Sequence, residues 1–341
     1  MWIGGLYQTA NPFLLEGITI GLIIQKFGGS SVRDAAHLRR VCAVIAAARG
    51  QGHDVLAVFS AQGDTTDALV QKAHELSLTP SPRELDALLA TGESASVALG
   101  AIALCEMGVP AVSLTAAQLP LRTDSEHGNA RILHIDTRRI HRELEDGKVV
   151  LVAGFQGVDK GNNLTTLGRG GSDLTAVALA SCLRADRCCI YTDVDGIYTT
   201  DPRVCPTARR LPKISYAHML ALAGEGAQVL HDRSVEFAAR HGVELEVLSC
   251  EAGSVGSRVV ETADCGPVTG LTRKRTAHGT VITAVGRALP GERGALARKA
   301  LQGKLLDIID YCEGNERFSI TVDPAVADRA LCLVHDALFD T

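Results

Sequence analysis

Three short stretches of this 341-residue sequence gather residue types suited to a phosphorylated ligand. In KFGGSSV, from Lys26 to Val32, Gly28 and Gly29 let backbone N–H groups approach an anion, and Lys26 adds a full positive charge. The stretch reads either as a phosphate site or as an ordinary tight strand-to-helix turn, and it is neither a Walker A loop nor GxGxxG. In TTLGRGGSDLTAVALA, Arg169 offers a planar fork to a carboxylate or phosphate, and Gly170 and Gly171 open the backbone ahead of Ser172 and Asp173. Asp173 is suited to holding Lys26 in place or to positioning a magnesium ion. YTDVDGIYTTDPR, from Tyr191 to Arg203, combines carboxylates, hydroxyls, an aromatic ring and a guanidinium. It reads as a nucleotide contact or as an acidic turn without function.

These stretches fall at the joints of an alternating strand–helix pattern. A strand over residues 20–27 leads into the first, and the amphipathic run VRDAAHLRRVCAVIAAARGQG follows as a helix that stops at glycine. Further strands are expected at 54–59, 109–114, 149–152, 188–192 and 245–249. Helices are expected at 65–76, 82–106 and 172–183, the last capped by Ser172 with Asp173 in its first turn. Strands alternating with helices imply an α/β fold, a three-layer αβα sandwich with a mainly parallel sheet covered on both faces. Near residue 267 the order changes to strand, strand, helix, strand, strand, helix, at 268–272, 281–285, 294–301, 305–311, 318–322 and 325–338. That is the element order of a small ferredoxin-like module. The expected division is an N-terminal extension over 1–19, a large α/β domain over 20–262 and the module over 267–341.

Composition excludes several function classes. Lys+Arg 34 against Asp+Glu 39 gives a net charge of −5, so no general basic surface is present to hold a nucleic acid. Aromatic residues make up only 4%, too few for base-stacking platforms. Asn11-Pro12 and Glu16 interrupt the mildly apolar N-terminus, so neither a membrane span nor an export signal is expected there, and the chain reads as cytoplasmic. The ten cysteines are scattered without a CxxC pair, which predicts reduced, buried thiols. The histidines form no HxxxH or HExxH arrangement; His134 and His141 read as structural or surface residues, and no metal-ligating set is assigned.

Together with FSAQGDTTDAL from Phe59, LLATGESASVAL from Leu88, RTDSEHGNARI from Arg122 and VLVAGFQG from Val150, these motifs make the chain resemble the aspartate kinases of the amino-acid kinase superfamily. The resemblance covers about residues 23–260. It implies transfer of the γ-phosphate of ATP, with Mg²⁺, to the side-chain carboxylate of L-aspartate, in the biosynthesis of aspartate-derived amino acids. It places ATP near Lys26, Phe27, Gly28, Gly29, Ser60, Ser172, Thr192, Asp193, Tyr198, Asp201 and Arg203. It places aspartate near Thr66, Glu93, Arg169, Gly170, Gly171 and Ser172, with Lys26 and Asp173 as the catalytic pair. The chemistry agrees: a carboxylate with a reference pKa near ~3.9 is ionised at neutral pH and needs no general base. Positioning and positive charge then carry the catalysis. Arg169 suits an α-carboxylate and Glu93 an α-ammonium, although Glu93 also reads as a solvated helix-end acid and Thr66 as a helix-start residue. The alternatives are a kinase for another acidic amino acid on the same fold, or a catalytically weak nucleotide- or amino-acid-binding regulatory subunit.

Two departures from the family pattern carry expectations of their own. Where the family has a GAKVLH-like lysine on the ATP phosphates, this chain has GAQVLH, with Gln228 in that place. Loss of a charge-assisted contact of this kind weakens phosphate binding by roughly 1.5–3 kcal/mol, which predicts a raised Michaelis constant for ATP. The C-terminal module resembles a single ACT unit where most aspartate kinases carry two, and DYCEGNERFSI replaces the usual Ser/Thr-rich turn. The expectation is a homodimer joined through the module, with weak or absent feedback by lysine and threonine.

Overall fold

Ile23, Phe27, Val55, Ala57 and Phe59 belong to one buried cluster, and Ile24, Leu56 and Val58 to another. Neighbouring residues of one strand therefore bury apolar side chains on opposite faces, which only a helical layer on each side can satisfy. The computed structural model describes residues 21–227, 229–250, 255–287, 289, 291–314 and 316–339. The expected arm over 1–19 lies outside the described residues, as does Gln228.

The main sheet contains Leu22–Phe27 (β1), Asp54–Phe59 (β2), Ala111–Leu114 (β3), Val149–Ala153 (β4), Arg187–Thr192 (β5), Lys213–Ser215 (β6), Leu245–Ser249 (β7) and Ser257–Val260 (β8). Its strand order is β6-β8-β7-β5-β1-β2-β4-β3. Every neighbouring pair is parallel except β7 with β8. Helices Ala35–Gly50 (α1) and Pro82–Glu106 (α3) cover one face through Val41, Ile45, Val97 and Leu104. Helices Arg138–Glu145 (α4), Gly171–Leu183 (α5), Tyr216–Gly224 (α6) and Asp232–His241 (α7) cover the other through Ile140, Val177, Met219 and Val235. Helix α3 is long and apolar enough to cross a bilayer, but Leu89, Val97 and Leu104 on it are buried within the fold. Thr65–Leu76 (α2) packs on α3.

A second sheet is entirely antiparallel. It contains Gly270–Thr276 (β9), Gly279–Val285 (β10), Asp310–Glu313 (β11) and Arg317–Val322 (β12), in the order β9-β10-β12-β11. Helices Glu292–Gln302 (α8) and Ala327–Phe339 (α9) close its core over Ile282, Phe318, Ile320 and Val334. The elements follow the expected order of strand, strand, helix, strand, strand, helix.

Several boundaries differ from expectation for local reasons. Helix α1 starts at Ala35, not Val32, because the Asp34 carboxylate accepts from the His37 N–H and fixes the cap there. Ser172 does not cap α5: the cap is Gly170, in the left-handed region at φ 73°, and Ser172 already lies inside the first turn. The strand expected from 305 begins only at Asp310, because α8 ends in a turn that puts Leu305 at φ 57° and leaves it exposed. All ten cysteines are free, but Cys105, Cys182 and Cys312 are exposed, so the expectation of buried thiols holds only in part. His134 and His141 are exposed.

Candidate functional site

Lys26 is the penultimate residue of β1, a central strand held between β2 and β5. Asp173 lies in the first turn of α5, a helix buried on nearly all sides. The two elements bring Lys26 Nζ within 2.6 Å of Asp173 Oδ1, with the side chains only 12% and 6% exposed. A charge pair this deep is strong because little water screens it, and it fixes the ammonium group at the end of the sheet.

The KFGGSSV turn is fastened to the loop after β2. The Ser60 N–H donates to the Phe27 carbonyl at 3.1 Å, and the Gly63 N–H to the Gly29 carbonyl at 3.0 Å. A side chain at Gly29 would come within 2.8 Å of the Ala61 carbonyl oxygen, so glycine is required for this approach. Arg169 sits between Gly168 at φ 76° and Gly170 at φ 73°, a left-handed pair that turns the loop tightly and leaves the guanidinium exposed. It makes no ion pair among the described residues.

These parts surround a cavity of about 270 Å³. Lys26, Gly28, Gly29, Ser60, Thr66 and Glu93 line it from one set of elements, and Arg169, Gly170, Gly171, Ser172 and Asp173 from the other. Glu93 is buried on α3, not a solvated helix-end acid. Its Oε1 accepts from the Ala61 N–H at 3.1 Å, while Oε2 has no partner among the described residues. Burial pushes its carboxyl up to about 7, an effect only partly offset by the Ala61 N–H. An unpaired buried carboxylate oxygen at a cavity wall is a place for a cationic ligand group.

The remaining predicted residues gather elsewhere. Asp193, Tyr198, Asp201 and Arg203 line a second cavity of about 420 Å³. Arg203 is 70% exposed and pairs with Asp201 at 3.1 Å and Asp193 at 3.7 Å. Tyr198 donates its hydroxyl to Asp195 at 2.8 Å. Thr192 lines neither cavity; its hydroxyl donates to Asp193 Oδ1 at 3.0 Å. The Phe27 ring is turned into the core, stacked on Tyr191 and edge-on to Phe59, so only its backbone stands at the site. Gln228 is outside the described residues, though Ala227 and Val229 on either side line the second cavity.

Sequence reasoning missed several contributors. Phe155 and His231 line the first cavity, and a side chain at Gly170 would collide with the His231 ring. Phe155 holds φ 69°, an uncommon conformation for a bulky residue and a sign of strain maintained at a functional site. Arg233 supports the arginine loop from behind, donating to Asn129 Oδ1 at 2.6 Å, to the Ala130 carbonyl at 3.2 Å and to the Leu167 carbonyl. Phe155 and His231 lie inside the motifs VLVAGFQG and GAQVLH, which were the available signal. Arg233 had no such signal, because its role depends on loops far away in sequence.

With this geometry in hand, comparison with known proteins gives a consistent result. Residues 21–249 match the profile of the Amino acid kinase family. An aspartokinase of Geobacillus stearothermophilus is 52% identical over 242 residues, covering 71% of this chain and 60% of that protein. An aspartate kinase of Pseudomonas putida is 52% identical over 229 residues, covering 67% of this chain and 56% of that protein. The chain thus spans somewhat over half the length of these curated relatives. Among solved structures, the aspartate kinase of Synechocystis is 37% identical with a TM-score of 0.64, over 92% of this chain and 54% of that one. Escherichia coli aspartokinase III in complex with aspartate and ADP superposes with a TM-score of 0.80 at 22% identity, over 93% of this chain and 100% of that one, which speaks to the fold alone.

Proposed function

Because the chain belongs to the amino acid kinase family, we propose that it transfers the γ-phosphoryl group of ATP to the side-chain carboxylate of L-aspartate, giving 4-phospho-L-aspartate and ADP. The observation that carries this reading is the buried Lys26–Asp173 pair at the head of a cavity that also holds the Arg169 guanidinium and an oxygen of Glu93, both unpaired among the described residues. Identity of 52% to proteins named aspartokinase and aspartate kinase supports the choice of acceptor. The division into a catalytic domain over 20–262 and a module over 267–341 belongs to the same reading. It is supported by the main sheet ending at Val260 and the second sheet starting at Gly270.

The mechanism follows from charge. A carboxylate oxygen of aspartate attacks the γ-phosphorus, the bond from phosphorus to the bridging oxygen breaks, and ADP leaves with the electron pair. The attacking carboxylate is already ionised, so no proton has to be removed. Arg169 clasps the α-carboxylate through its fork and Glu93 accepts from the α-ammonium, with Thr66 at the cavity wall. Lys26 faces the transferring phosphoryl group, and the backbone at Gly28, Gly29 and the first turn of α5 adds favourable dipoles. Asp173 keeps the ammonium group aimed there. ATP extends from this point past Ser60 toward Asp193, Tyr198, Asp201 and Arg203, with Thr192 beside them through its bond to Asp193.

The donor set suits Mg²⁺ held chiefly by phosphate oxygens, with the Asp173 carboxylate beside Lys26, as is usual for this ion. When bound, the ion would neutralise charge on the β- and γ-phosphates. We also assign the homodimer contact to the C-terminal module, where Leu305 and Ile309 are exposed apolar residues.

The test is a coupled ADP-release assay with ATP and, in turn, L-aspartate, L-glutamate and their N-acetyl forms, with hydroxylamine to trap the acyl phosphate. ADP release with aspartate and a hydroxamate product are expected. Preference for any of the other acceptors, or no ADP release at all, overturns the assignment.

A further inference from the structure

The second cavity is not built by the catalytic domain alone. Beside Asp193, Tyr198, Asp201 and Arg203, its lining includes Leu271 and Arg273 of β9 and Leu331 of α9, all from the C-terminal module. The seam between the two parts is specifically bonded, and buried at Thr199 and His335. The Leu271 N–H donates to the Thr199 carbonyl at 2.7 Å, so the first strand of the module is anchored on the residue next to Tyr198. The Thr199 hydroxyl meets His335 Nε2 of α9 at 2.8 Å, and both side chains are buried. The Thr207 hydroxyl donates to Asp336 at 2.6 Å. On the other side, the Glu225 carbonyl accepts from the Thr272 hydroxyl at 2.9 Å, and its carboxylate accepts from Arg317 at 2.6 Å. These bonds tie the loop after β5 and the end of α6 to β9, β12 and α9, so the module's side chains are held at the cavity by fixed contacts and not by a loose tether.

The chemistry supplied there is what a nucleotide needs. At about 420 Å³ the cavity is of the size that takes a small-molecule ligand. Leu271 and Leu331 join Met219 and Leu222 in an apolar wall of the cavity, each almost wholly buried in the surrounding core. Arg273 adds a second guanidinium to that of Arg203. Its partner is Asp328 of α9, a pair in which both side chains are partly exposed. Exposed pairs contribute little to stability because water screens them, so this one yields readily to a phosphate able to accept two parallel N–H bonds.

We propose that the C-terminal module is a structural part of the nucleotide site, with Leu271 and Leu331 packed on the nucleoside and Arg273 bound to the polyphosphate of a nucleoside triphosphate. The inference deepens the kinase reading above and rests on it. The module is then a component of substrate binding, whatever else it does.

Calorimetric titration of the full chain with ADP and Mg²⁺, alongside steady-state kinetics, tests it. Arg273→Met should weaken ADP binding about tenfold and raise KM for ATP by a similar factor, with kcat and KM for aspartate unchanged. Arg273→Lys should recover part of the loss. Leu331→Ala should weaken ADP binding too, whereas Arg275→Ala, on the same strand but outside the cavity, should not. If the unaltered chain binds ADP and both Arg273→Met and Leu331→Ala bind it equally well, this inference is wrong and the kinase reading stands. If the unaltered chain binds no ADP, the kinase reading falls and this inference with it.

Discussion

The two cavities hold their charges in opposite ways. In the first, Lys26 and Asp173 are almost completely buried and each is the other's partner. In the second, Arg203 is 70% exposed, with two carboxylates around it that water screens as well. Buried charge is expensive and therefore has to be fixed in one place, whereas exposed charge is adaptable. The difference matches the tasks assigned to each cavity. A cation that stabilises a transferring phosphoryl group must not move during the reaction, while a cation that holds the body of a nucleotide can let go of one partner and take another.

The largest effect should therefore come from the buried pair. Lys26→Met removes the cation at the reacting end and should lower kcat on the order of 10³-fold, with KM for ATP changing far less. It also leaves the Asp173 carboxylate buried and alone, which should cost about 3–5 kcal/mol of stability. The double variant Lys26→Met with Asp173→Asn separates the two roles: denaturant unfolding should show most of the stability restored, and activity should stay lost. Activity returning together with stability would mean that Lys26 serves structure only, and that the contrast between the cavities is not a catalytic one.

A mid-sized effect concerns Glu93. Its carboxyl titrates at about 7 because burial penalises the charged form. A folded-state value raised above the unfolded one means that the free protein binds an extra proton between about 4.5 and 7, so this group's stabilising contribution is present below that window and is lost as pH rises through it. Aspartate binding has the opposite demand, because the α-ammonium needs the carboxylate. KM for aspartate should thus fall as pH rises through about 7, while stability of the free chain declines over the same window. Glu93→Gln should raise KM for aspartate about tenfold at pH 8, flatten its pH dependence and raise the melting temperature of the free protein at pH 8. A Michaelis constant for aspartate that still titrates near pH 7 in Glu93→Gln would assign the titration to another group.

The contrast also explains what could be read from the sequence. The first cavity is assembled largely from contiguous motifs whose glycines, charges and helix start suit a phosphate, so Lys26, Arg169 and Asp173 stand out by residue type and spacing, while their roles follow from the family resemblance. The main sheet is equally legible where a strand is an apolar run, as at Asp54–Phe59, and the helices Thr65–Leu76 and Pro82–Glu106 also fall where periodicity puts them. What was hidden depends on distance in the chain. Arg233 works by reaching carbonyls of Leu167 and Ala130, and Leu271, Arg273 and Leu331 reach the second cavity only because the module docks against it. The burial of Glu93 was similarly invisible, because its immediate neighbours, Thr91, Gly92 and Ser94, are those of an ordinary polar helix segment. Ser172 misled as a cap because a serine before an apolar helix normally is one, and only the left-handed glycine before it shifts the start.

The smallest expected effect tests the exposed side of the comparison. Gln228 replaces the lysine of the family pattern, and its neighbours Ala227 and Val229 line the second cavity together with Arg203 and Arg273. A cation restored among charges that water already screens should add less than one restored in a dry site, because its attraction to phosphate is offset in part by lost hydration. Gln228→Lys should therefore lower KM for ATP only about threefold to tenfold, leave kcat and KM for aspartate unchanged, and lose most of its advantage in 0.5 M salt, where the screening length is about 4 Å. A rise in kcat would place this residue at the reacting phosphoryl group and not along the nucleotide. An unchanged KM would mean that Arg203 and Arg273 already supply the charge that the lysine provides in its relatives, so that the module has taken over part of the catalytic domain's work.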